Sequence, residues 1–261
     1  MLRNIDPLWS ALGPTYFRII DPFGRGIRIK LGGHVSVTIP SRFSGGELET
    51  YEPETFEALA AWMHRNPGAR IVDIGCAIGA FSVATLFTDP LAEVIAIDSN
   101  VASLRITQEM CSHAVGERLI LLYGLVSNEP GGTFAVAQSQ TISALATVTR
   151  HQAYKDRYKY ICMNSCDTAY IPRLRLDDLF PHHQSRPTLI KCDVEGAEHL
   201  VIDGAMELLA RDKPALLLSV HPSMLQETYN HSADRLRDTI SRLGYEIELL
   251  AIDHEQHWLC M

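Results

Sequence analysis

The chain has 261 residues, of which 46% are hydrophobic and 21% are charged, and its formal net charge is −8. This composition is typical of a globular protein and excludes a disordered or collagen-like chain. The acidic balance disfavours nucleic acid and anionic membranes as partners, because both repel negative charge. No apolar run approaches the roughly 20 residues that span a bilayer. Since the chain shows neither a signal peptide nor a disulfide scaffold, we expect a cytoplasmic protein.

The first 50 residues predict short β-strands at 16–20, 27–30 and 34–39, with glycines at the breaks. A helix is expected from Pro53, because Phe56, Leu59 and Met63 recur at helical spacing and Pro67 follows. We interpret residues 1–50 as a β-rich extension of a core that begins at residue 51.

From residue 71 onwards, short apolar runs alternate with helical stretches. The runs occupy residues 71–74, 94–98, 119–123, 189–193, 215–220 and 246–252, and helices are expected at 80–87, 101–115, 197–210 and 232–243. Strands this apolar must be covered on both faces, which predicts a doubly wound, mostly parallel α/β sheet. The interval 125–188 is too long for a plain crossover, so we interpret it as a lid insertion in a single domain spanning 1–261.

The loop after the first core strand, residues 72–79 (VDIGCAIG), carries the strongest functional signal. An acid ends the strand, two glycines follow four residues apart, and a helix begins. In open α/β sheets this edge binds nucleoside cofactors, and an acid ending the next strand accepts the ribose hydroxyls. The candidate cofactor-binding residues are Asp73, Gly75, Cys76, Ala77, Gly79, Asp98 and Ser99.

The same loop helps to distinguish between two cofactors. A dinucleotide site of the G-x-G-x-x-G type would need glycines at 75, 77 and 80, but the chain has Ala77 and Ala80. Asp73 would repel a pyrophosphate, whereas it favours a cation such as the ammonium of a methionine moiety. The loop therefore favours S-adenosylmethionine over NAD. A dinucleotide-dependent oxidoreductase and a non-catalytic nucleoside-binding module remain the alternatives.

Five stretches in this order resemble the FkbM-type S-adenosylmethionine-dependent methyltransferases: residues 51–54 (YEPE), 72–79 (VDIGCAIG), 176–179 (LDDL), 190–198 (IKCDVEGAE) and 218–222 (LSVHP). The resemblance implies a class I methyltransferase (Rossmann-like) fold with a seven-stranded sheet whose last strand is reversed. It also implies O-methylation of a sugar, glycan or natural product. The family often has Asn at 77, Glu at 98 and Glu at 219, where this chain has Ala77, Asp98 and Ser219.

Methyl transfer to a hydroxyl requires a group that takes up the hydroxyl proton. The candidate catalytic residues are Asp193, Glu195 and His221, because Asp193 and His221 end neighbouring strands at the cofactor edge. Glu195 and Glu198 are expected to open the next helix on one face, and for Glu198 we favour a purely helix-stabilising role. The three candidates could instead hold Mg²⁺ or Mn²⁺. We favour metal-free chemistry.

Residues 150–175 combine six cations with interleaved tyrosines in a chain that is otherwise acidic. We interpret this segment as a lid, in which Arg157, Tyr158 and Lys159 bind an anionic small-molecule or glycan acceptor. His254 and His257 are expected on the surface. A homo-oligomer is compatible with the sequence.

Overall fold

The computed structural model describes residues 26–43, 47–114, 116–129, 131–137 and 168–261. The strands are β1 (Ile27–Leu31), β2 (Val35–Ile39), β3 (Arg70–Ile74), β4 (Glu93–Asp98), β5 (Leu119–Tyr123), β6 (Leu125–Val126), β7 (Thr133–Ala137), β8 (Thr168–Leu174), β9 (Thr188–Asp193), β10 (Ala215–Val220), β11 (Ile247–Ile252) and β12 (Gln256–Cys260). The α-helices are α1 (Pro53–Arg65), α2 (Ala80–Thr88), α3 (Val101–Met110), α4 (Leu176–Leu179), α5 (Glu198–Asp203), α6 (Met206–Asp212), α7 (Pro222–Tyr229) and α8 (Ala233–Arg242).

Seven strands form the central sheet, in the order β5-β4-β3-β9-β10-β12-β11. The pairs β5–β4, β4–β3, β3–β9 and β9–β10 are parallel, and β12 runs antiparallel to both of its neighbours. The predicted mostly parallel seven-stranded sheet with a reversed last strand is therefore confirmed. The carboxyl ends of β3, β4, β9 and β10 lie along one edge, where a ligand crevice is expected.

Each face of the sheet packs against its own apolar core. One core contains Ile71, Val94, Leu189 and Leu217 together with α1, α2 and the β1–β2 hairpin. The other is built around Val72, Ile190, Leu216 and Trp258 and is covered by helices from the second half of the chain. Alternate residues of each strand enter different cores, so both faces of these strands are buried.

The insertion contains a small sheet of its own, with β8 between β6 and β7. The strand β6 runs parallel to β8, and β7 runs antiparallel to it. The following helix α4 positions Asp177, whose carboxylate accepts hydrogen bonds from the backbone N–H groups of Leu208 (2.8 Å) and Glu207 (3.3 Å). Asp177 thus stabilises the start of α6.

The structure departs from the predicted elements at α5, α6, α7 and β12, and within the insertion it adds the strands β6, β7 and β8 and the helix α4. The single helix expected at 197–210 is two helices, α5 and α6, separated near Gly204. A side chain at Gly204 would place its Cβ 2.2 Å from the carbonyl oxygen of Ser127, so this junction packs directly on the insertion. The helix α7 and the strand β12 have no counterpart in the predicted elements, and the strand expected at 16–20 lies outside the described residues. Among the described residues, no helix combines the length and apolarity that crossing a membrane requires.

Candidate functional site

The loop after β3 is pressed against the end of β9. Gly75 has a φ of +74°, and a Cβ at this position would lie 1.8 Å from the backbone oxygen of Asp193. Gly79 has a φ of +73°, and its Cβ would lie 2.7 Å from Cγ2 of Thr107 on α3. The sequence suggested that these glycines admit a ligand. The structure gives a different reason, because the atoms that exclude a side chain belong to the protein itself.

Asp98 ties this loop to the end of β4. One carboxylate oxygen accepts the backbone N–H of Ala77 at 2.9 Å, and the other accepts that of Asn100 at 2.7 Å. Ala77 has a left-handed φ of +47°, a conformation that Asn tolerates better than most residues. Burial raises the pKa of Asp98 to about 6, against the lowering effect of these two hydrogen bonds. The oxygen that accepts from Ala77 also accepts a weak hydrogen bond from the Cys76 thiol, at 4.0 Å, so the other oxygen is the one that keeps a free lone pair for a ribose hydroxyl.

Asp73 and Cys76 lie beneath the loop. Asp73 is 2% exposed and accepts a 2.5 Å hydrogen bond from Oγ of Ser82, which links β3 to the first turn of α2. Burial raises the pKa of Asp73, and burial likewise raises that of the Cys76 thiol. Cys76 is therefore a neutral thiol packed against Thr107. Ser99 follows Asp98 directly and is half-buried.

Asp193 lies at the end of β9, next to the loop. Its Oδ1 is 3.8 Å from Nε2 of His221, which follows β10, so the predicted proximity of these two residues is confirmed. Its Oδ2 is 3.6 Å from Nζ of Lys191. Burial and the charges of Glu255 and Glu52 raise the pKa of Asp193 to about 7, against the opposing effect of Lys191. Its carboxylate forms no hydrogen bond with a described residue, so its lone pairs are available to a ligand.

His221 is held between two buried carboxylates. Its Nδ1 lies 2.8 Å from Oε1 of Glu198, and its Nε2 lies 2.9 Å from Oε2 of Glu255. Burial alone would lower the pKa of His221, but Glu198 and Glu255 outweigh it and raise the pKa to about 10. The ring is therefore an imidazolium at neutral pH and has no free lone pair with which to accept a proton. In this state His221 supplies positive charge and is not the base.

A buried lysine forms the other side of the site. Lys191 is 1% exposed, donates a 2.6 Å hydrogen bond to Oγ of Ser219, and lies 3.9 Å from Oε2 of Glu52. Its charged form is costly to bury, but Glu52 and Asp193 outweigh that cost and raise its pKa. His257 lies 3.5 Å from Glu52 and is 2% exposed, so the prediction of a surface histidine was wrong. The adjacent His254 is exposed, as expected.

Glu195 and Glu198 do not open the helix together, contrary to the prediction. The helix α5 begins at Glu198, and Glu195 lies in the preceding turn with a φ of +53°. The Glu195 side chain is 61% exposed, with Oε2 3.7 Å from Nε2 of His221, whereas Glu198 is fully buried. Glu198 accepts the N–H of Gly196 and contacts His221, so its role is more than stabilising a helix end.

The alternative of a divalent metal at Asp193, Glu195 and His221 does not fit this arrangement. One ligand atom from each residue lies within 4.8 Å of the others. However, each ring nitrogen of His221 lies within 2.9 Å of a carboxylate oxygen, so neither nitrogen is free to bind a metal in this arrangement. A metal here would require His221 to lose a proton and to leave Glu255.

The residues expected to bind the acceptor, Arg157, Tyr158 and Lys159, lie outside the described residues. Two other cations of the predicted basic segment lie within them. Arg173 forms an ion pair with Glu129, and Arg175 forms one with Asp178 at 2.7 Å. These two charges are therefore neutralised by acids of the chain itself.

Comparison with known proteins gives a family. The family model for the methyltransferase FkbM domain matches residues 68–247. No curated protein sequence matches the chain.

Among solved structures, the chain is similar to a methyltransferase FkbM from Methylobacillus flagellatus KT, with 18% identity and a TM-score of 0.48 over 81% of this chain and 51% of that one. It thus spans about half the length of that protein. Aeropyrum pernix fibrillarin with natively bound S-adenosyl-L-methionine has 12% identity and a TM-score of 0.45, covering 87% of this chain and 89% of the other. Magnesium protoporphyrin IX methyltransferase from Synechocystis PCC 6803 with bound SAH has 12% identity and a TM-score of 0.42, and the match covers 79% of this chain and 80% of the other.

The family match covers well over half of the 261 residues and includes the glycine loop, Asp98, Asp193 and His221. The seven-stranded sheet with its reversed last strand is also what the sequence resemblance implies. The chain belongs to the FkbM methyltransferase family.

Proposed function

We propose that the protein is an S-adenosylmethionine-dependent methyltransferase that methylates a hydroxyl group of a sugar, glycan or natural product. The observation that carries this proposal is Asp193. Its carboxylate lies beside the cofactor loop, is free of hydrogen bonds to described residues, and has a pKa raised to about 7. A carboxylate with this pKa at this edge suits proton uptake at neutral pH.

The cofactor is assigned to the loop between β3 and α2. We place the ribose hydroxyls on Asp98, whose Oδ1 retains a lone pair, and the nucleoside over Gly75, Cys76, Ala77 and Gly79. When bound, S-adenosylmethionine supplies an electrophilic methyl group on a positively charged sulfur. The acids nearby, including Asp73 and Asp193, favour a cation at this edge.

The described residues include a group that can take up the proton of the acceptor hydroxyl. Asp193 accepts a hydrogen bond from the acceptor hydroxyl. As the hydroxyl oxygen takes the methyl group and the S–CH₃ bond breaks, with its electron pair staying on the sulfur, the hydroxyl proton moves to the Asp193 carboxylate. Lys191 and the His221 imidazolium, 3.6 Å and 3.8 Å away, stabilise the ionised form that precedes this step. Glu195, which is exposed beside His221, lies where it can contact the acceptor. No metal is needed in this scheme.

We propose, from the sequence alone, that Arg157, Tyr158 and Lys159, which lie outside the described residues, bind the acceptor. Their charge and aromatic rings suit a sugar or natural product that carries an anionic group. Neutralising Arg157 and Lys159 is expected to raise the KM for such an acceptor and to leave cofactor affinity unchanged.

Calorimetry and product analysis test the proposed function together. S-adenosylmethionine and its demethylated product are expected to bind, and NAD is not. Incubation with a panel of hydroxyl-bearing sugars and natural products should then yield an O-methyl product, detected by mass spectrometry and NMR, without added metal. Binding of NAD alone would favour the oxidoreductase. Cofactor binding with no turnover across a broad panel would favour the non-catalytic module.

A further inference from the structure

The turn before β12 brings a carboxylate into the site from outside the part of the chain that matches the family model. That match ends at residue 247, whereas Glu255 lies beyond it and is 4% exposed. Its Oε2 is 2.9 Å from Nε2 of His221. The C-terminal hairpin of this chain thus reaches a candidate catalytic residue directly.

The positions of the carboxylates determine the protonation of His221. A neutral imidazole has one N–H and one lone pair, and here each ring nitrogen has a buried carboxylate oxygen within 2.9 Å. A lone pair facing the negative charge of Glu198 or Glu255 at this distance would be repelled by it, which is costly, although Oε2 of Glu255 accepts no hydrogen bond from a described residue. Both nitrogens must therefore carry hydrogen, whichever tautomer one starts from.

Other charged groups face this ring from each neighbouring element. Asp193 and Glu195 approach Nε2 from the end of β9 at 3.8 Å and 3.7 Å. Lys191 lies behind Asp193. The other oxygen of Glu255, Oε1, lies 3.5 Å from Nε2 of His254 and 3.7 Å from Nε2 of His257. Of the carboxylates near Nε2, Glu255 alone is within hydrogen-bonding distance among the described residues.

We propose that Glu255 is a positioning residue for the reaction: its carboxylate, 2.9 Å from Nε2, keeps His221 an imidazolium whose charge lies beside Asp193. Asp193 then has a cation next to it and keeps its lone pairs for the acceptor hydroxyl. Without Glu255, His221 loses its proton more readily, and Asp193 loses a neighbouring negative charge and becomes a weaker base. This inference rests on the proposed function for its catalytic part, but the state of His221 can be measured without any turnover.

The test follows His221 by NMR in the full chain, with labelled histidine and assignment by His221→Gln. In the wild-type protein the ring is expected to stay protonated through pH 8. Glu255→Gln keeps the size of the side chain and removes its charge, and should lower the midpoint by roughly one to three pH units. Glu255→Asp keeps the charge and should shift it less. The matched control is Glu248→Gln, an exposed position on β11 of the same hairpin.

Activity supplies the second measurement. In Glu255→Gln both limbs of the kcat profile are expected to move to lower pH, because Asp193 becomes more acidic and His221 loses its proton earlier. A loss of Tm with an unchanged profile and an unchanged His221 midpoint would mean a purely structural role and would overturn the proposal. If the variant does not fold, the wild-type titration decides, since a midpoint near the ordinary 6.5 also overturns it. Failure of the proposed function would appear separately, as absent cofactor binding.

Discussion

Replacing Gly75 with alanine tests the packing that joins the cofactor loop to Asp193. The backbone there has a φ of +74°, and the new Cβ would lie 1.8 Å from the backbone oxygen of Asp193. Left-handed backbone costs a residue with a side chain roughly 1–2 kcal/mol. Displacing packed atoms typically adds about 1–3 kcal/mol. Gly75→Ala should therefore lower the free energy of unfolding by about 2–5 kcal/mol.

Gly33→Ala is the matched control for this variant. Gly33 has a φ of +75°, and the nearest heavy atom to its Cβ would be the backbone oxygen of Glu49 at 3.7 Å, an ordinary contact. Gly33→Ala should lower the free energy of unfolding only by the cost of the left-handed backbone, about 1–2 kcal/mol. Urea unfolding of both variants separates the backbone cost from the packing cost, provided that the free energy of unfolding falls with urea concentration at the same slope in both variants. Equal losses in the two variants would refute the conclusion that Asp193 requires glycine at 75.

Three further changes address the cofactor, the base and a helix start. Asp98→Ala should weaken S-adenosylmethionine binding by about 1–3 kcal/mol in calorimetry. Because the pKa of Asp98 is raised to about 6, the affinity of the wild-type protein for the cofactor should fall as the pH drops below 6. Asp193→Asn should lower kcat by about 10²–10⁴-fold with cofactor affinity retained. Wild-type kcat should fall as the pH drops through about 7, because Asp193 becomes protonated. The control Glu195→Gln, at an exposed position, should lower kcat less. Asp177→Ala should lower the free energy of unfolding by about 1 kcal/mol, because the first N–H groups of α6 lose their hydrogen-bond acceptor. The control Asp178→Ala removes only an exposed ion pair and should lower the free energy of unfolding by less than half as much. Unchanged affinity, unchanged kcat, or equal losses at 177 and 178 would contradict the respective assignment.

The inner parallel strands could be predicted because each is a short apolar run with buried residues on both faces. Residues 71–74, 94–98 and 189–193 have this character, and the structure places β3, β4 and β9 there. The last strand, β12, has only five residues and begins with two polar ones, Gln256 and His257, so its sequence resembles that of a surface tail. The helix α7 is also short, and only Leu225 within it is fully buried, which leaves little periodicity to detect.

The site could be predicted only where strand order determines it. Asp193 and His221 end strands that pair with each other, so parallel topology alone brings them together. Glu52 precedes α1 and Glu255 precedes β12, and no local pattern indicates that these distant segments converge on Lys191 and His221. The missed signal at His257 is the apolar run 258–260 that follows it, because all of these residues are buried together with His257 in β12.

A crystal structure of the complex with S-adenosylhomocysteine tests the central claim most directly. It should show the ribose hydroxyls on the Asp98 carboxylate, the adenosine over residues 75–79, and the sulfur directed at the side of the site that contains Asp193. A nucleoside bound at a different edge of the sheet, with Asp98 contacting only backbone N–H groups, would contradict the account.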